Sequence, residues 1–302
     1  MAAADFHPEL RNVARFLPRA SAGPRAFKLV RTLGALRSRL PAKGVEIRDA
    51  GGVSVRMHRP ARNGKALPAL LWIHGGGYVL GTAGQDDKIC HYFADRLGIT
   101  VAAVEYGLAP EHRFPVPLED CYQALTWLAC QDFVDGDRIA VGGASAGGGL
   151  AAALGLLANE RGEVQLGGQV LAYPMLDDRT AARADLDESN FRLWNQKANR
   201  FGWEAYTGLP PGSSDVSGLA SPARYDDLSG SPSTWMGTGT LDLFYDEDIA
   251  YSNRLKSAGV PCELQVVAGA FHGFDVVRSK AEVSKAFRRA QSTALAAMLH
   301  VD

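Results

Sequence analysis

The stretch Arg138-Ile-Ala-Val-Gly-Gly-Ala-Ser-Ala-Gly-Gly-Gly-Leu150 decides the fold. A short β-branched run, 139–141, enters a dense glycine cluster, and an alanine- and leucine-rich helical run leaves it, to about Asn159. Inside the cluster, Gly143-Ala144-Ser145-Ala146-Gly147 fits G-x-S-x-G, the strand-to-helix turn that holds a serine nucleophile. Gly143 and Gly147 have a steric reason: the serine sits in a strained turn, and neighbours packed against it cannot carry a Cβ. Chance yields roughly 0.2 such matches in a chain of this composition, so the pattern counts only with its company. Alone, it also describes a glycine-rich loop between a strand and a helix.

Outward from this turn, strands and helices alternate. Leu67-Pro-Ala-Leu-Leu-Trp-Ile73 and Ile99-Thr-Val-Ala-Ala-Val104 are continuous apolar runs, as expected of strands buried on both faces. Residues 166–173, 233–239 and 263–268 read as further strands, and 86–97, 118–130, 247–257 and 280–299 as helices. Residues 45–48 and 53–57 alternate apolar and polar around Ala50-Gly51-Gly52, a β-hairpin pattern. The expected fold class is α/β, a mostly parallel sheet covered by helices on both sides. From 177 to 227 the chain turns polar, with scattered aromatics and no strand pattern, which reads as an inserted helical segment. Residues 1–43 read as helical and basic. Either they form an arm for a membrane surface or anionic partner, or surface helices lying on a neighbouring domain. Pro18, Pro24 and Pro41 break the run into short pieces and favour the second reading.

Composition narrows the function. With 302 residues, 46% hydrophobic and 22% charged, the chain has the make-up of a soluble globular protein. A net charge of -1 gives no global attraction to nucleic acid or acidic lipid. Cys90, Cys121, Cys130 and Cys262 form no C-x-x-C pair, and reduced thiols in a cytoplasmic protein are the simplest reading. Residues 1–11 contain no apolar core of a secretory signal. Residues 139–159 are uncharged, but the glycines divide them into two short elements rather than a membrane span. No metal-ligand set, P-loop or dinucleotide fingerprint is present, so no metal and no cofactor are expected.

A serine nucleophile needs a base, and the base needs a partner that fixes its tautomer. On a doubly wound sheet such groups sit at the carboxyl ends of strands. Asp242 and His272 follow predicted strands, giving the order Ser145, Asp242, His272 expected on this sheet. Asp246 competes with Asp242, but it lies further from the strand and suits the start of the next helix. The other histidines lie at termini (His7, His300), in the hairpin (His58), in a helix (His91), in a proline-rich loop (His112) or in the glycine motif (His74). That motif, His74-Gly75-Gly76-Gly77, follows a buried strand, and side-chain-free backbone there can present bare N–H groups to an oxyanion.

These residues resemble the hormone-sensitive-lipase-like serine esterases of the α/β-hydrolase superfamily. The resemblance spans roughly 67–175 and 232–275 and includes His74-Gly-Gly-Gly-Tyr78, Tyr106-Gly-Leu-Ala-Pro-Glu-His112, 115–120, Gly143-Ala-Ser-Ala-Gly-Gly148, Tyr173-Pro-Met-Leu176, Gly239-Thr-Leu-Asp-Leu-Phe-Tyr-Asp-Glu247 and His272-Gly-Phe274. It implies an α/β-hydrolase fold with a helical cap, Ser145 as nucleophile, His272 as base and Asp242 as its orienter. It further implies an oxyanion hole from the N–H groups of Gly76, Gly77 and Ala146. Tyr78, Phe191, Trp194, Trp203, Tyr206 and Phe271 are candidates for the substrate pocket, and most of the aromatics of the insertion suit cap core as well as pocket wall. The division it suggests is 1–43 as N-terminal part of the cap, 44–176 and 228–302 as the hydrolase core, and 177–227 as cap insertion. Three positions depart from the family pattern: Ala144 for an acidic residue or threonine, Gly107 for arginine, and Leu243 for proline.

The expected activity is hydrolysis of short-to-medium acyl esters through an acyl-enzyme, with a small-molecule ester as the partner and a homodimer left open. An amidase, arylformamidase or lactonase on the same triad is the alternative. A non-catalytic receptor on this fold is a further one, against which His272 speaks, because such receptors lose that histidine.

Overall fold

The computed structural model describes residues 5–19, 27, 31, 42, 44–60 and 66–301. Eight strands form one sheet in the order β1-β2-β4-β3-β5-β6-β7-β8. The hairpin of β1 (Val45–Asp49) and β2 (Ser54–His58) is antiparallel, as is the pairing of β2 with β4 (Thr100–Glu105). All other pairings are parallel: β3 (Leu67–Ile73), β5 (Val134–Ala144), β6 (Gly168–Ala172), β7 (Thr234–Leu241) and β8 (Cys262–Phe271). The functional loops therefore leave one common edge.

Alternation along the strands builds two cores. Ala69, Leu71, Ile73, Val141 and Leu171 point to one face, packed with α3 (Val116–Ala129), α4 (Ala146–Arg161) and α6 (Tyr245–Ser257). Leu70, Trp72, Ala140, Val170 and Trp235 point to the other, packed with α2 (Asp87–Leu97) and α8 (Glu282–Met298). Ala146 through Ala158 are all buried, which explains a helix apolar all round. The uncharged stretch is thus a strand and a core helix. Among the described residues no helix is long and apolar enough to cross a membrane.

The segment 177–227 carries no strand; it contains α5 (Gln196–Thr207) and three short 3₁₀ turns. Buried Asp178 ties it together, accepting a forked pair from Arg224 and the Gly212 N–H at 2.7 Å. Near the N-terminus α1 (Arg11–Ala14) is a single helical turn, and the described Phe27 and Arg31 are also helical. The expectation of helices over 20–26, 28–30 and 32–41 lies outside the described residues. What is described packs on the insertion: Phe27 meets Phe201, Arg192 Nε donates to the Ala14 carbonyl, and the Leu193 N–H donates to the Pro18 carbonyl. His7 N–H also donates to the Gly269 carbonyl of β8 at 2.8 Å. The four cysteines are free thiols.

Candidate active site

β5 delivers Ser145 into a backbone conformation of φ 58° and ψ -124°, a region costly for a residue with a side chain. The turn is closed by contacts that need the flanking glycines. A Cβ on Gly143 would lie 2.4 Å from the Gly147 carbonyl oxygen, and one on Gly147 only 2.1 Å from that of Ile73. The Ser145 N–H donates to the Ala172 carbonyl of β6, and its own carbonyl accepts from Gly149 and Met175. The turn is thereby stitched to β6 and the first turn of α4.

Asp242 follows the last residue of β7, and His272 follows the last residue of β8. His272 Nδ1 lies 2.8 Å from Asp242 Oδ2, and Nε2 lies 2.9 Å from Ser145 Oγ. Asp242 Oδ1 accepts from the Phe244 N–H at 3.0 Å, which fixes the carboxylate. All three side chains are buried. With Asp242 accepting at Nδ1, that nitrogen carries the proton and Nε2 faces the serine hydroxyl as acceptor. Asp246 is in the first turn of α6, but its carboxylate turns outward to Arg183 at 2.6 Å rather than onto helix amides.

The glycine loop follows β3. His74 is buried and stacked on Tyr106 at 4.3 Å, its Nδ1 bonded to the Gly75 carbonyl, while the Tyr106 hydroxyl donates to the His74 carbonyl. Burial pushes the His74 imidazole down to about 4, so it is neutral at physiological pH and serves as packing. Among the described residues, no hydrogen bond uses the N–H of Gly76, Gly77 or Ala146. The insertion sits directly on this loop. A Cβ on Gly77 would lie 2.1 Å from Trp194 Cη2, and one on Gly202 2.8 Å from the Gly77 carbonyl.

The pocket nominations divide. Trp194 lies against the loop, and Phe191 is buried in the insertion. Trp203, Tyr206 and Phe271 are at most 1% exposed and pack in the interior. Tyr78 joins them, stacked on Tyr206 at 3.9 Å with its hydroxyl donating to the Met175 carbonyl. Among the departures, the His112 ring fills the space at Gly107, where a Cβ would come within 2.7 Å of its Cγ. Leu243 is buried in the core.

Two residues that the quoted motifs contain, but to which no role was given, touch His272. Tyr173 and Phe244 pack their rings against His272 at 4.9 and 5.2 Å, at interplanar angles of 67° and 83°. The available signal was position: Tyr173 directly follows β6 just as Ser145 follows β5. Among the described residues no cluster of three or more His, Cys, Asp or Glu could hold a metal ion.

A sheet of this order, with a strained serine after β5 and its partners after β7 and β8, defines a class, and a family model for the alpha/beta hydrolase fold matches residues 70–276. The chain belongs to that family, within its hormone-sensitive-lipase-like group. It is similar to ethyl acetate hydrolase of Pseudomonas putida, 35% identical over 235 residues that cover 75% of this chain and 73% of that one. It is also similar to arylacetamide deacetylase of Oryctolagus cuniculus, 31% identical over 286 residues, covering 73% and 72% of the two chains. Among solved structures, a bacterial heroin esterase superposes with a TM-score of 0.88 at 37% identity, covering 99% of both chains. An esterase from Pyrobaculum calidifontis does so with a TM-score of 0.81 at 32% identity, covering 98% of both.

Proposed function

We propose that this chain is a carboxylesterase acting on short-to-medium acyl esters, with Ser145, His272 and Asp242 as its triad. The observation that carries this reading is the unbroken hydrogen-bonded chain from Ser145 Oγ through the imidazole to Asp242. Similarity to proteins named ethyl acetate hydrolase and heroin esterase agrees with it.

In this mechanism His272 Nε2 takes the hydroxyl proton as Ser145 Oγ attacks the ester carbonyl carbon. The carbonyl oxygen becomes an oxyanion, received by the unengaged N–H groups of Gly76, Gly77 and Ala146. Collapse breaks the ester C–O bond, and the imidazolium returns its proton to the departing alcohol, leaving an acyl-serine. Water, deprotonated by His272, attacks the acyl carbon and releases the acid and the free serine. Asp242 holds the imidazole tautomer and balances the imidazolium charge. The insertion 177–227, with the N-terminal part packed on it, forms the cap over the core at 44–176 and 228–302.

Wild-type protein should hydrolyse p-nitrophenyl butyrate, and S145A should lose that activity by a factor of about 10⁴ or more. Purified, folded S145A retaining wild-type turnover would overturn the assignment. A second reading, amide hydrolysis on the same triad, is favoured by the similarity to arylacetamide deacetylase. A panel pairing acetate esters with the matching acetamides separates the two.

A further inference from the structure

Two hydrogen bonds hold the imidazole of His272, one at each ring nitrogen. Both lie near a single line across the ring, so rotation about that line is left to packing. Tyr173 and Phe244 supply the packing, each set edgewise against the ring.

Tyr173 differs from an ordinary core tyrosine. Its backbone is at φ 38°, a strained position for a residue with a side chain. Its N–H donates to the Gly237 carbonyl of β7 at 2.6 Å, and its ring stacks parallel to Phe287. Its hydroxyl donates to Asp275 Oδ1 at 2.7 Å, and both side chains are buried. Asp275 stands three residues beyond His272, in the short helix α7 (Phe274–Val277). A closed circuit results: His272, the turn to Asp275, the Tyr173 hydroxyl, and the Tyr173 ring back against His272. Burial pushes the Asp275 carboxyl above the usual carboxylate range, while the Tyr173 hydrogen bond and Arg288 favour its charged form. Asp86 and Asp242 are the other carboxylates whose charge is felt at Tyr173.

We propose that Tyr173, anchored by Asp275, is a positioning residue that holds the His272 imidazole in line between Ser145 and Asp242. The proposal rests on the hydrolase reading above, but its test does not depend on turnover alone. Y173F keeps the ring and removes the anchor, and D275N keeps an acceptor for the phenol, whereas D275A does not. A base swung off line loses transition-state contacts rather than substrate binding. Y173F and D275A should therefore lower kcat by about tenfold with KM within twofold, and D275N should lose markedly less. In proton NMR, the downfield resonance of the His272 Nδ1–H should be sharp in wild type and D275N and broadened in Y173F and D275A. Thermal melting of each variant shows whether the fold is intact.

Unchanged kcat and an unchanged resonance in Y173F would overturn the proposal. So would equal losses in D275N and D275A, or a joint fall of kcat, substrate affinity and melting temperature, which marks general damage. If no variant and not even wild type hydrolyses esters, the resonance still decides the positioning claim, and the failure falls on the hydrolase reading.

Discussion

Replacing Gly147 by alanine puts one methyl group where the structure has no room for it. The new Cβ would lie 2.1 Å from the Ile73 oxygen and 2.5 Å from the His74 oxygen. Both are backbone atoms, so no side-chain rotation relieves the clash; either the start of α4 or the end of β3 must move by about 1 Å. Overpacking of this kind costs about 1–3 kcal/mol, and rigid backbone on both sides puts G147A near the upper end. A chain of this size loses about 2 °C of melting temperature per kcal/mol, so G147A should melt about 6 °C lower. Displacement of β3 also carries the glycine loop away from Ser145, and an error of that size costs about 100-fold in kcat. Gly162 provides the control: it has φ 68° but no atom within 4 Å of a Cβ. G162A should cost about 1 kcal/mol from its left-handed backbone alone and leave turnover unchanged. Differential scanning fluorimetry and p-nitrophenyl butyrate kinetics on both variants make the comparison. G147A matching G162A in both measurements would refute the steric account of the turn.

Acid should unfold the protein through two buried histidines. Burial lowers both His58 and His74 to about 4, against about 6.5 in the unfolded chain. The unfolded state therefore binds protons first, and stability present above about pH 6.5 is lost as pH falls toward 4, by about 3 kcal/mol per group. Urea midpoints should drop over that window, and less steeply in H58Q; a midpoint independent of pH would contradict this. Asp248 acts in the opposite sense. Its carboxylate is buried, and burial beside Glu247 and Asp242 raises its carboxyl well above the usual range, against a smaller opposing effect of the Thr238 hydroxyl. The folded state keeps a proton that the unfolded chain releases near 4, so this group costs stability as pH rises above 4. D248N should raise the urea midpoint at pH 7.5, with the gain shrinking toward pH 4.

The strands were legible where burial on both faces left an uninterrupted apolar run. The bounds read for β3 match those observed, and β4 is displaced by one residue. The early part of β5 was not legible, because Asp135, Asp137 and Arg138 read as loop; there Asp135 and Arg138 pair with each other at 2.7 Å. The end of β8 was cut short at Gly269, a residue that reads as a terminator. In the structure its φ of 71° lets the strand continue while His7 docks on its carbonyl. Ser145, Asp242, His272 and the glycine loop were legible because each chemistry-bearing residue sits at a strand end. The stack of Tyr78 on Tyr206 was not legible, since it joins segments far apart in the chain and leaves no local periodicity. Gly107 reads as a lost arginine, and only the neighbouring His112 ring explains it.

Everything proposed for this site requires that Ser145 forms the covalent intermediate. Reaction with a p-nitrophenyl phosphonate, followed by intact-mass and peptide mass spectrometry, tests it most directly. One phosphonyl group per chain should appear on the peptide containing Ser145, formed in step with loss of esterase activity and absent in S145A. A modified serine elsewhere, or full activity after complete labelling of Ser145, would contradict it.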